Sequence, residues 1–364
     1  MKFGLLHDAR FVAALLVVGF HASLNFNKPK YFGESADALA TALWFAGDAG
    51  VAFFFVLSGF IIQHVHGADV GRPERLRHYL VRRLVRIYPA YWIVFVGTWC
   101  AASLFPDLRS SLPHAPDVLV KSLLLWPQDA AVVGGTGAPL IVVAWSLQYE
   151  LMFYALMALA IVNVRLGVLA GTGVLVCVAL HWVSGADRFP LRFVGSHHML
   201  MFAAGMVTAV WVKRSAPSRH AGWWLAIGLL GFFATGVVST WMKPVYVREW
   251  ADMAYSLTGA VAIVGLVDLD RARPAKACGV LPPVLGDASY VLYLIHFPLV
   301  SALSKGLSLV LAHTPVQAGL ALLLTVVACV AASVVFHRRV ERPLARWLNR
   351  QLLSTGTGRA QGAS

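Results

Sequence analysis

Ten apolar stretches punctuate the chain, near residues 8–26, 44–63, 87–105, 140–162, 167–183, 196–212, 222–241, 249–269, 284–307 and 315–337. A helix rises about 1.5 Å per residue, so windows of this length match a hydrocarbon core about 30 Å thick. The pattern predicts an all-α fold, a polytopic membrane bundle of about ten transmembrane helices. Between the third and fourth windows, residues 106–139 form the longest connection, with Pro106, Pro113, Pro116, Pro127, Pro139, Gly134, Gly135 and Gly137. Inside it the apolar run from Val118 to Trp126 is too short to span and predicts a short interfacial helix. Such a loop covers a site, binds an external ligand, or merely connects, and all three readings stay open here. No fixed-period repeat and no second folded domain is visible. The organisation expected is a membrane domain over 1–343 and a basic cytoplasmic tail over 344–364, partly disordered where small polar residues follow Ser354.

Composition agrees with that pattern. The 364 residues are 59% hydrophobic and 13% charged, with a mean hydropathy of +0.70, whereas soluble domains carry about a quarter charged residues. The net charge of +13 would suit nucleic acid, but its distribution says otherwise. With the N-terminus inside, 21 of the 30 lysines and arginines fall on inner segments. This positive-inside bias puts both termini in the cytoplasm and assigns the charge to membrane topology and anionic headgroups, with no nucleic-acid partner expected. The chain is thereby placed as a multi-pass protein of the plasma (inner) membrane. Cys100, Cys177, Cys278 and Cys329 lie far apart, so neither a disulfide framework nor a metal site is expected. Lys2, the apolar run and Ala22 resemble a signal peptide. Cleavage there would remove Arg10 and His21 and leave an odd number of spans, so the first helix is expected to stay uncleaved.

The chemistry lies in the polar residues inside these windows, because an ionisable group in hydrocarbon is costly and usually marks a function. Arg10 opens the first span and His21 sits eleven positions on, roughly 16 Å along the axis or half a bilayer core. Taken alone, Arg10 reads as a snorkelling anchor and His21 as a histidine hydrogen-bonded between helices. In the second span Ser58 and Gly59 sit among aromatics, first of all as close-packing positions, with a ligand contact as the second reading for Ser58. The basic run from Arg72 to Arg86 reads as a positive-inside loop as far as Arg77. Arg83 and Arg86, three apart on one helical face, suit bidentate recognition of a polyphosphate together with Arg10.

Glu150 in the fourth span falls near mid-bilayer and demands protonation, a cation or hydrogen-bond donors. Trp145 and Tyr149 are i, i+4 neighbours beside it, and Ser146 adds a hydroxyl. His296 places a second histidine near mid-membrane, next to Pro298, which frees a backbone carbonyl. His181, His197 and His198 fall at outer helix ends, where interfacial solvation suffices. Glu341-Arg342-Pro343 reads as an inner-face clamp or anchor.

With these positions in hand, the sequence resembles the acyltransferase-3 family of ten-helix membrane O-acyltransferases, over nearly the whole chain. The residues carrying the resemblance are Arg10 with His21, Phe53-Phe54-Phe55-Val56-Leu57-Ser58-Gly59-Phe60, Arg82-Arg83-Leu84-Val85-Arg86-Ile87-Tyr88-Pro89, Trp145-Ser146-Leu147-Gln148-Tyr149-Glu150 with Phe153-Tyr154, Ser289-Tyr290-Val291-Leu292-Tyr293-Leu294-Ile295-His296 and Glu341-Arg342-Pro343. Two departures, Leu6-His7-Asp8-Ala9-Arg10 where many relatives have a leucine before the arginine and Ala52 in place of a polar residue, bear on substrate subclass more than on chemistry. The resemblance implies transfer of an acyl group, usually acetyl from cytoplasmic acetyl-CoA, to a hydroxyl of a surface or exported glycan. It implies His21 as the catalytic histidine and Arg10, Arg83 and Arg86 as donor-binding residues.

The expected mechanism follows. Phosphates of acetyl-CoA bind the inner arginines, and His21 acts as general base or takes the acyl group itself. Glu150 or His296 orients or stabilises its imidazolium, and Ser58, Ser146 or Tyr149 donates to the oxyanion, with Trp145 as a further substrate candidate. The expected partners are membrane lipid, a glycan acceptor and a polysaccharide assembly system, and no metal. An exopolysaccharide sugar or its lipid-linked precursor is the first acceptor class. The rival class is a proton-coupled transporter or flippase of a glycan or lipid, which calls for inverted repeats that the sequence does not display.

Overall fold

The structure, a computed structural model, describes residues 3–43, 46–104, 112–113, 115–185, 187–242, 245–272 and 279–354. Among these, ten helices are long and apolar enough to cross a membrane, so the chain is a multi-pass, all-helical membrane protein. They are α1 (Gly4–Phe26), α2 (Ala46–His66), α3 (Leu76–Leu104), α4 (Trp145–Val162), α5 (Val164–Ser184), α6 (His198–Arg214), α7 (Ala221–Met242), α8 (Val245–Ala272), α9 (Pro283–Val310) and α10 (Pro315–Phe336). A π-helical turn, His337–Glu341, leads into a further helix, α11 (Arg342–Ser354), and the short helices of the connections are left unnumbered. Helices are what an apolar chain must form in lipid, where each backbone N–H and C=O needs a partner within its own segment. Large apolar side chains accordingly face outward, among them Leu169, Val183, Trp223 and Val316.

Two departures from the hydropathy windows are informative. The third span starts at Leu76, not near residue 87, because arginine lowers a transfer scale yet is a good helix former. The expected basic tail is helical from Arg342 to Ser354, while residues 355–364, including Arg359, lie outside the described residues. Of the cysteines, Cys100, Cys177 and Cys329 are free, and Cys278 lies outside the described residues.

The chain divides into two compact units, Met1–Val65 with Leu200–Val334, and His66–Met199 with Val335–Ser364. In the first unit, Phe11, Ala14, Val18 and Ala22 form one stripe of α1. They pack on Leu292 and Val300 of α9 and Cys329 of α10. Gly59 of α2 and Gly205 of α6 let two backbones meet: a Cβ on Gly59 would strike the Phe202 carbonyl, and one on Gly205 the Val56 carbonyl. Gly59 thus has the close-packing role its sequence neighbourhood suggests.

In the second unit the loop after α3 carries a short helix, Pro116–Leu123, opened by a proline at its first turn. It starts two residues earlier and ends three earlier than the apolar run Val118 to Trp126, because proline suits the first turn and Leu125 adopts a positive φ of 54°. Its last carbonyls have no helical partner. Three side chains of α3 supply donors instead: Tyr91 to Ser122 (2.6 Å), Trp92 to Leu123 (2.9 Å) and Tyr88 to Leu124 (2.7 Å). The amide of Gln148 on α4 donates to the carbonyls of Trp126 (3.3 Å) and Gly137 (3.2 Å). The loop is therefore pinned along much of its described length.

Candidate active site

The first unit brings His21 and His296 together. His296 Nε2 lies 3.2 Å from His21 Nδ1, with ring centroids 5.0 Å apart. Each ring also meets a carbonyl one helical turn back, His21 Nδ1 to Val17 at 3.0 Å and His296 Nδ1 to Leu292 at 3.2 Å. A carbonyl only accepts, so a neutral His296 carries its proton on Nδ1 and offers Nε2 as an acceptor. His21 then also carries its proton on Nδ1, shared between the Val17 carbonyl and His296, and its Nε2 is the basic nitrogen. His296 is fully buried and His21 half-buried. Aromatic rings surround the pair: Phe20 and Phe297 stand 5.1 and 5.6 Å from the His21 ring, and Tyr293 stands 5.8 Å from His296. Tyr293 in turn meets Phe54 of α2 at 5.8 Å, and Ser58 lies one turn further along α2.

Arg10 lies on the same helix as His21, three turns away, and is half-buried. Around it α1 is tied down by polar contacts. Asp270 of α8 accepts from the Leu5 amide (3.0 Å), Asp8 from the Val280 amide (2.6 Å), and His7 bonds Asp287 of α9 (3.0 Å). One turn beyond His21, Asn25 donates to Ser304 of α9 (2.7 Å) and accepts from Lys28 (2.7 Å). Burial, and then the neighbouring Lys30, lowers the pKa of the Lys28 amine. The pair Asn25–Ser304 went unnoticed in the sequence, although Asn25 is i+4 from His21 and Ser304 is i+8 from His296.

In the second unit Arg83 is held from behind. Its Nη2 donates to His66 Nε2 (2.9 Å), and His66 Nδ1 donates to Asp69 (2.8 Å). Guanidinium cannot accept, so the contact fixes His66 in its Nδ1–H tautomer. The Arg83 guanidinium lies 6.0 Å from the Tyr154 ring centre. The Tyr154 hydroxyl donates to Glu150, and the buried Tyr79 hydroxyl donates to the Tyr154 carbonyl at 3.2 Å. Glu150 thus has a hydrogen-bond donor, as its depth requires. Arg86 lines the same cleft as Arg83, between α3 and α11. His66 and Asp69 were not singled out in the sequence, because nothing in their spacing reveals the arginine they brace; Tyr154 entered only as part of the motif that carries the resemblance, with no partner assigned.

Trp145 and Tyr149 meet at 6.0 Å, and Tyr149 stacks on Phe193 at 4.3 Å. His198 joins both, 5.1 Å from Trp145 and 4.8 Å from Tyr149. His197 is buried rather than solvated at a helix end, because it stacks on His198 at 4.3 Å and so belongs to this aromatic cluster. Ser146 is buried and donates to the Val143 carbonyl at 3.1 Å.

Ten candidate spans among the described residues, with a histidine pair inside one unit and an arginine-lined cleft in the other, define a membrane protein with ionisable groups held inside each unit. The acyltransferase domain family model (acyltransferase-3) matches residues 8–334. The chain belongs to that family. It is also 30% identical, over 321 residues, to the exopolysaccharide production protein ExoZ of Rhizobium meliloti (strain 1021), covering 86% of this chain and 92% of that relative. No solved structure matches the chain. These findings make it an acyltransferase-family membrane protein similar to a protein of exopolysaccharide production.

Proposed function

We propose that the chain is an O-acyltransferase of the inner (plasma) membrane, with both termini cytoplasmic. It moves an acyl group, acetyl in the first instance, from cytoplasmic acetyl-CoA to a hydroxyl of an exported polysaccharide or its lipid-linked precursor. The observation that carries this reading is the His21–His296 pair, whose tautomers are set by the Val17 and Leu292 carbonyls. Family membership and the likeness to an exopolysaccharide production protein support it.

His21 Nε2 takes the proton of the acceptor hydroxyl as the oxygen attacks the thioester carbonyl. The new C–O bond forms, the C–S bond breaks, and the proton passes from His21 to the departing sulfur. While His21 is charged, its Nδ1–H stays shared between the Val17 carbonyl and His296, so His296 stabilises the imidazolium as the third group of a triad does. The donor's phosphates are the charge for Arg10, Arg83 and Arg86, each suited to a phosphate fork. Glu150, whose partner is the Tyr154 hydroxyl, serves as a positioning group in its own unit. Ser58, Ser146 and Tyr149 are the oxyanion candidates; the Ser146 hydroxyl meets the Val143 carbonyl and the Tyr149 hydroxyl meets Ser196, so each would have to turn toward the oxyanion. Trp145 offers an aromatic face to substrate.

The test is direct. Purified protein in nanodiscs is given labelled acetyl-CoA and either exopolysaccharide or its lipid-linked oligosaccharide, and base-labile ester is measured on the glycan. Label is expected on the glycan with wild type and nearly none with His21→Ala, since a general base contributes about 10²–10⁴-fold. Transfer by His21→Ala at the wild-type rate, or no transfer to any glycan by wild type, refutes the proposal.

A further inference from the structure

The second unit contains a cleft of about 700 Å³ between α3 and α11. Arg82, Arg83 and Arg86 line it from α3, and Arg346 and Arg350 from α11. Helix α11 begins beyond the residues the family model matches. On it Arg346 and Arg350 are i, i+4 and share one face. Five guanidinium groups around one cavity repel each other, and each presents a fork matched to phosphate. The one carboxylate on the wall, Glu341, does not cancel them, because it is engaged by His337 at 2.6 Å across the π-helical turn.

A second observation also points to a ligand. Arg83 Nε and Asn349 Oδ1 are buried and have no hydrogen-bond partner among the described residues. One is a donor on α3 and the other an acceptor on α11, and both side chains line this cleft. The Asn349 amide is not misassigned, because its Nδ2 donates to the Ala345 carbonyl at 2.7 Å. Unsatisfied buried polar atoms are costly and few in native proteins. A phosphorylated nucleotide, with acceptors on its phosphates and donors on its base, supplies both missing partners.

We propose that α11 reads the nucleotide end of the acyl donor. Arg346 and Arg350 take the ribose phosphate farthest from the thioester, while Arg83 and Arg86 hold the diphosphate. This rests on the reading of the chain as a CoA-dependent acyltransferase and specifies which residues recognise which phosphate. The order follows from exposure. Arg83 is half-buried and braced by His66 and Asp69, whereas Arg346 and Arg350 are exposed. The more enclosed arginines of α3 therefore suit the diphosphate, which carries the acyl arm, and the exposed α11 wall suits the ribose phosphate.

The experiment is equilibrium binding to the full chain in nanodiscs. Labelled CoA is displaced by CoA or by dephospho-CoA, which lacks only the ribose phosphate. Wild type is expected to bind dephospho-CoA roughly ten- to a hundredfold more weakly than CoA. The double variant Arg346→Ala, Arg350→Ala is expected to bind both ligands at the wild-type dephospho-CoA level, while Arg83→Ala weakens both ligands by the same factor. Arg346→Lys with Arg350→Lys, a milder change for the fold, is expected to fall between. A double variant that elutes as a monodisperse species and keeps the wild-type preference overturns the proposal. Anionic lipid headgroups offer the same phosphate chemistry, so the assay is run in phosphatidylcholine and again with phosphatidylglycerol. An effect confined to phosphatidylglycerol assigns these arginines to lipid and also overturns it. Wild type that binds neither nucleotide sinks the CoA-dependent reading itself, an outcome distinct from the loss of discrimination alone.

Discussion

Replacing His296 separates positioning from base catalysis. Its Nε2 takes part of the His21 Nδ1–H, at 3.2 Å, and the Val17 carbonyl takes the rest at 3.0 Å. In the His296→Ala variant that carbonyl still holds the proton on Nδ1, so His21 keeps its tautomer and its basic Nε2. What is lost is one hydrogen bond to a group that becomes charged in the transition state, worth about 1.5–3 kcal/mol. That converts to a fall in kcat of roughly 10–150-fold. His21→Ala removes the base itself and costs about 10²–10⁴-fold. KM for the donor should be unchanged in His296→Ala, because the interaction strengthens only as His21 charges.

His296 is fully buried, so its truncation also leaves a cavity, and melting of the purified variant must be measured beside the rate. His296→Gln provides an acceptor oxygen with less lost volume and is expected to recover part of kcat. The two histidines act as a unit, so adding His296→Ala to His21→Ala should change the residual rate by less than twofold. The reasoning fails if His296→Ala, with an unchanged melting curve, retains full kcat. It fails equally if the loss appears in KM alone.

Other perturbations test neighbouring links. His66→Ala removes the brace behind Arg83 and should raise the donor KM several-fold with little change in kcat, whereas His66→Gln, which keeps an acceptor, should restore much of the affinity; equal effects on kcat would assign His66 elsewhere. Gly59→Ala pushes a methyl against the Phe202 carbonyl and should cost about 1–3 kcal/mol by overpacking, read as a lower melting temperature in detergent; an unchanged melt would mean α2 and α6 separate more easily than drawn. Tyr91→Phe removes one of two donors from the Ser122 carbonyl, which keeps the Leu125 amide at 3.1 Å, and should cost about 0.5–1.5 kcal/mol, seen as faster proteolysis within residues 115–139, which equal cleavage rates would contradict.

Much of the scaffold was legible because lipid makes one demand, apolar length, and hydropathy measures it. The same measure misplaced the start of α3, since Arg77, Arg82, Arg83 and Arg86 lower hydropathy without opposing a helix. It also hid α11, where Arg342, Arg346 and Arg350 looked like a charged tail although Leu344, Leu348 and Leu352 recur at the spacing of one helical face. His21, His296 and Glu150 stood out as polar groups at membrane depth. Their partners did not, because which residues of two helices meet depends on rotation about the helix axis. Apolar periodicity sets that rotation only loosely when a helix is hydrophobic all round. Thus the contact of His296 with His21, which the sequence offered only as one of two alternatives, and Tyr154 as a partner of Glu150 needed the structure.

The polar contacts of α1 supply the missing rotational constraint. Apolar packing through Phe11, Ala14, Val18 and Ala22 fixes how closely α1 approaches α9 but tolerates small turns of the helix. Hydrogen bonds do not, since they weaken steeply with misalignment. Leu5, His7 and Asp8 hold one end of α1 to α8, α9 and the strand of chain before α9; Asn25 holds the other end to Ser304, one turn past the histidine pair. With both ends fixed in angle, the direction of His21 Nε2 is fixed too, and a base held to within about 0.5 Å is what proton transfer needs. His7 and Asp8, in the stretch before Arg10, are then accounted for as anchors of α1. Each anchor is paired with a donor or acceptor in the same unit, so the cost of placing it near the membrane is largely offset, and removing either partner would expose it.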